Sequence, residues 1–78
     1  MSKIESMIDN YLKRIRDRHP DAKTVQREHD KAHREYMCSV LNGDGSGASG
    51  SIIIAHYAER EAWATYAKEN GIDLGVQQ

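Results

Sequence analysis

Residues 51–70 read SIIIAHYAEREAWATYAKEN, and this stretch decides how the rest of the chain must be arranged. Its start and stop are chemically marked. Ser51 follows a glycine-rich run and is suited to cap a first helical turn. Gly71 comes directly after, at the position where a left-handed residue commonly ends a helix. At 100° per residue the apolar side chains fall on two faces rather than one stripe. Ala55, Ala58, Ala62 and Tyr66 form one face, and Ile52, Ile53, Tyr57, Trp63, Ala64 and Ala67 form a second, wider one. A helix that is apolar on two sides requires two partners.

Upstream, the sequence supplies them. Ile4, Met7, Ile8, Tyr11, Leu12 and Ile15 recur at helical spacing, with Ser2 as cap and Glu5 completing a capping box. Pro20 ends this first helix, because a residue before proline avoids the right-handed helical region. Asp21 or Thr24 restarts the chain as a second helix, whose stripe holds Val25, Ala32, Tyr36, Met37, Val40 and Leu41. The run NGDGSGASGS then predicts a flexible connection, and residues 71–78 form a tail that can tuck Ile72 and Leu74 against the helices. The expectation is one all-α domain over residues 1–78, with helices over about 2–19, 22–42 and 51–70 and a glycine-rich loop over 42–51. Helices of roughly 18 to 20 residues, about 27 to 30 Å long, favour an antiparallel three-helix bundle. Helical hairpins completed by homodimerisation satisfy the two-faced third helix equally well.

Composition narrows the function. Charged residues make up 29% of the chain, and the formal net charge is −1, so no global field attracts nucleic acid or an anionic membrane. Cys38 is the single cysteine, which excludes an internal disulfide and fits a reducing compartment. The beginning, MSKIESMIDN, has no signal-peptide core, and no apolar run approaches the ~20 residues of a membrane span. A cytoplasmic location is expected.

Chemistry-bearing residues concentrate on the second and third helices. His29 and His33 fall within the second helix's apolar stripe, His19 on the apolar side of the first, and His56 beside Ile52 and Trp63. His29-Asp30-Lys31-Ala32-His33 has the i, i+4 histidine pair of zinc-binding HExxH segments, with aspartate in place of the glutamate base. A third ligand must come from another helix. Antiparallel packing sets His33 level with about position 60, leaving His56 offset along the axis by about 6 Å. His29, His33 and His56 are therefore metal candidates, against the commoner arrangement of half-buried histidines bonded to tyrosines, carboxylates or backbone.

Two loop readings are weaker. Asn42, Asp44, Ser46 and Gly47 match early positions of a calcium loop, but Ile53 stands where the closing glutamate belongs. The glycines before a helix suggest a phosphate cradle, yet the lysine of a P-loop and a βαβ context are both missing.

Arg14, Arg16 and Arg18, with Lys13, Arg27 and Lys31, interleave with acidic residues in the pattern of a solvated helix surface. They also offer a docking patch for an acidic partner. Tyr57, Trp63 and Tyr66 on the third helix suit a protein interface, since their ring bodies bury while their polar tips reach outward. These observations predict a small non-enzymatic protein-interaction module that binds a larger protein. An inhibitor or adaptor of the phage or mobile-element type, dimeric and without a cofactor, is the expected kind. The alternative is a small-ligand or metal binder that uses the histidine-lined seam.

Overall fold

The structure, a computed structural model, describes residues 2–42 and 50–74, without the side chains of Asn42 and Ser51. Within these residues the chain is all-α. Helix α1 spans Lys3–Arg18, α2 spans Ala22–Asn42 and α3 spans Gly50–Glu69. Residues 43–49, which carry most of the calcium-loop and phosphate-cradle readings, lie outside the described residues.

Local chemistry sets the helix ends. Ser2 caps α1 in both directions: the Glu5 backbone N–H donates to Ser2 Oγ, and the Ser2 N–H donates to Glu5 Oε1. Two orphan N–H groups of the first turn are thereby satisfied. At the other end, His19 adopts a left-handed conformation (φ 47°, ψ 54°) ahead of Pro20. That turn carries His19 to the exposed surface, not onto the apolar side expected of it. Asp21 caps α2 by accepting from the Thr24 N–H at 2.8 Å, and hydrogen bonding from Thr24, its hydroxyl first and its N–H second, holds the Asp21 carboxyl below the usual carboxylate range. Helix α3 begins one residue earlier than expected, at Gly50, so Ser51 sits inside the first turn.

The end of α3 is a Schellman motif. Gly71 takes φ 66°, its N–H donates to the Lys68 carbonyl, and the Ile72 N–H donates to the Ala67 carbonyl at 2.8 Å. Ile72 and Leu74 then fold back onto the core, and Gln26 Nε2 donates to the Asp73 carbonyl at 2.7 Å. The tail is thus tied to α2.

Within the chain, α3 has a neighbour on each side. Helices α1 and α2 each pack against α3, and among the described residues they do not pack against each other. Arg16 near the end of α1 forms a bidentate ion pair with Glu69 at the end of α3, so these two helices run parallel. His33 and Tyr36 of α2 meet Arg60 and Tyr57 of α3 in reversed order, so α2 runs antiparallel to both. Ala58, Ala62, Tyr66 and Glu69 share one helical line, which turns the narrower face of α3 toward α1.

The core gathers Leu12 and Ile15 of α1, Val25 and Ala32 of α2, and Ala62, Trp63, Tyr66 and Ala67 of α3. All of these lie toward the end of the molecule where α1 and α3 finish. The opposite end is different. Among the described residues, Ile4 at the start of α1, Met37, Val40 and Leu41 at the end of α2, and Ile52 at the start of α3 are the exposed large apolar side chains. Helix directions bring all five to one end. No helix among the described residues is long and apolar enough to cross a membrane.

Candidate functional site

The seam between α2 and α3 runs from the buried core to this open apolar end, and its polar groups are ordered along it. Deepest is His29, only 6% exposed. Burial holds its imidazole below the ordinary value of about 6.5, and the Arg60 and His33 side chains push in the same direction against the weaker pull of Asp30 and Glu61. Its surroundings thus favour the neutral imidazole.

One turn along, Arg60 spans the seam. Its Nη1 lies 3.1 Å from His33 Nδ1, and its Nη2 donates to Glu61 Oε2 at 3.2 Å. A guanidinium only donates, so His33 accepts through Nδ1 and carries its proton on Nε2. The planar head also lies over two rings, 4.9 Å from the Tyr36 centroid and 5.3 Å from that of Tyr57. Those rings are 5.7 Å apart and tilted by 54°. Each such cation–π contact contributes about 0.5 to 2 kcal/mol, more as water is excluded. Arg60 thereby fixes the register of α2 on α3, with His33 level with position 60 as helix geometry predicts.

The next turn holds a second cluster. His56 Nδ1 faces Glu35 Oε1 at 3.7 Å across the seam, and Glu59 joins them from one turn along α3. One ligand atom from each of the three lies within 4.8 Å of the others. All three residues are half-buried. The Glu59 carboxyl is pushed above its ordinary range, first by burial and then by Glu35, with Glu28 adding to the effect and His56 and Lys31 opposing it.

The seam brings together some of the residues singled out from the sequence and separates others. His29 and His33 share one face, but His33 engages Arg60, and neither shares a cluster with His56. Among the interface candidates, Tyr57 is half-buried beneath Arg60. Trp63 and Tyr66 are 5% and 8% exposed and belong to the chain's own core. Arg16 is committed to Glu69. Arg14 borders a shallow depression with Met7, Asn10 and Tyr11. Arg18 borders another, of about 280 Å³, with Pro20, Thr24, Arg27 and Glu28, where the gap between α1 and α2 opens above Trp63.

No protein-family model matches the chain, and no curated protein and no solved structure matches it.

Sequence reasoning missed Arg60 and Glu35 as members of the seam, while Glu59 was foreseen only as a carboxylate that could pair with a histidine. Arg60 lies in a charged triplet, Glu59-Arg60-Glu61, that reads as solvent-facing. Its position opposite His33, combined with the tyrosines at 36 and 57, was the available signal.

Proposed function

We propose that this protein is a non-enzymatic interaction module, an inhibitor or adaptor that acts by binding a larger protein through its open apolar end. The observation carrying this reading is the shared location of Ile4, Met37, Val40, Leu41 and Ile52, between 36% and 73% exposed. Large apolar side chains concentrated at one end of a small domain are the usual mark of a contact surface. None of the five carries charge, so recognition there rests on apolar burial at about 25 cal/mol per Å². The polar seam behind them supplies rigidity, because Arg60 and its two tyrosines lock α2 to α3 before any partner arrives. Preorganisation of this kind lowers the entropic cost of binding.

A second copy of the chain is the alternative occupant, and the same neutrality favours it. Apolar side chains of this kind on two copies can meet about a two-fold axis without bringing like charges face to face. One experiment distinguishes the two. Wild-type protein and the double variant Leu41→Lys/Ile52→Glu are compared as bait in the native host and, purified, by light scattering. The substitutions place a cation at the end of α2 and an anion at the start of α3, where the helix dipoles tolerate them. The interaction reading expects a protein retained in stoichiometric amount by the wild type and lost from the variant, with both baits monomeric alone. A wild-type dimer that the variant converts to monomer assigns the end to self-association. Identical retention and identical mass for both proteins would overturn the reading.

A further inference from the structure

Glu35, His56 and Glu59 form a cluster that the interaction reading does not use. The two carboxylates are brought together by different helices. Among the described residues neither has a lysine or arginine within ion-pair distance, and His56 is the only basic group paired with Glu35. Lys31 acts on Glu59 only at longer range, while Glu28 on the same face of α2 adds further negative charge. Two half-buried carboxylates facing each other repel, and a cation between them would remove that repulsion.

The donor set is also of the right kind. Tetrahedral bonds of about 2.1 Å place ligand atoms roughly 3.4 Å apart. The His56–Glu35 separation of 3.7 Å is close to this, and all three donor atoms lie within 4.8 Å. Glutamate side-chain rotations that move a carboxylate oxygen by about 1 to 1.5 Å close the remainder. One imidazole with two carboxylates suits a borderline divalent ion, where thiolates would select softer metals. His56 and Glu59 stand one turn apart on α3, and the Arg60–His33 contact in the adjacent turn sets the register that delivers Glu35. The scaffold is therefore rigid at the place where ligand geometry matters.

We propose that Glu35, His56 and Glu59 bind one divalent transition-metal ion of the Zn²⁺ class between α2 and α3, with water completing the coordination. Of the three histidines that the sequence suggests, this site keeps His56 and takes Glu35 and Glu59 in place of His29 and His33; it does not depend on the interaction reading. Zn²⁺ bound here would clamp the α2–α3 hairpin one turn from the open apolar end.

The test uses untagged protein stripped with a chelator and titrated calorimetrically with Zn²⁺, with Co²⁺ as an optical probe of coordination. The expected result is one ion per chain, with affinity reduced at least tenfold in Glu35→Gln, His56→Gln and Glu59→Gln and unchanged in His29→Gln. Melting supplies a second readout that a simple His56–Glu35 ion pair would not give. Glu59→Gln should melt at or above the wild-type temperature in chelator, because repulsion is relieved, and should lose the upward shift that Zn²⁺ gives the wild type. Failure of the wild type to take up Zn²⁺ at micromolar concentration overturns the proposal. So does uptake that survives both His56→Gln and Glu59→Gln.

Discussion

His29 gives the sharpest quantitative expectation. Its imidazole is 6% exposed, and its folded-state pKa lies below the ordinary value because burial, Arg60 and His33 all disfavour the charged form. The unfolded chain therefore binds more protons than the folded one across this range. With that sign, the stability is fully present above the unfolded value of about 6.5 and is lost as pH falls through it toward the depressed folded value. If His29 stays neutral throughout the folded state, the loss between about pH 7.5 and 5.5 reaches a ceiling of about 1.4 kcal/mol. In a domain of this size that corresponds to a fall in Tm of roughly 5 to 10 °C. Glu59 works in the opposite sense. Its folded pKa is raised, so protonation favours the folded state as pH falls. The assay therefore compares differences: melting of the wild type and His29→Leu at both pH values, in chelator. The leucine variant should lose the His29 share of the acid destabilisation and melt more uniformly across the window. Equal pH dependence in the two proteins would refute the reasoning and show that His29 is solvated.

Trp63→Ala removes the largest side chain of the core and should cost about 3 to 5 kcal/mol in urea unfolding; a loss under about 1 kcal/mol would mean that Trp63 is not packed as described. Gly71→Ala meets no atom within 4 Å, so its cost is backbone strain alone, about 1 to 2 kcal/mol at this left-handed position. A neutral result there would remove the Schellman ending of α3. Arg16→Ala breaks an ion pair whose side chains are 52% and 40% exposed, and should leave the melting temperature nearly unchanged because solvent screens such a pair. A larger effect would show that the pair holds α1 in place.

Much of the fold was legible because local chemistry marks its boundaries. Ser2 with Glu5, Pro20 with Asp21, and Gly71 each act within a few residues, so their meaning does not depend on the rest of the molecule. The two apolar faces of α3 stated its need for two neighbours, and α1 and α2 fill that need. Antiparallel register also set His33 beside position 60 correctly. The site was less legible, because it depends on rotation about helix axes and on how far α1 and α2 stand apart. Trp63 and Tyr66 suit an interface by composition, yet the same amphipathic rings serve the chain's own core once α1 and α2 close over α3. Arg60 carries charge but lies over two tyrosine rings with its side chain only 21% exposed, and helical periodicity alone cannot assign a long side chain to either environment. Glu35 looks like an ordinary surface carboxylate until the register brings it to His56 and Glu59.

The central claim is that the large apolar side chains exposed at the end of α2 and the start of α3 are a contact surface and not part of the chain's own core. The most direct measurement is equilibrium unfolding of purified Leu41→Lys/Ile52→Glu beside the wild type, at several protein concentrations. Leu41 and Ile52 are 73% and 47% exposed, so the account predicts that stability changes by less than about 1 kcal/mol, as for surface substitutions. A loss of about 3 kcal/mol or more at every concentration would show that these side chains belong to the chain's own core, and would contradict the claim.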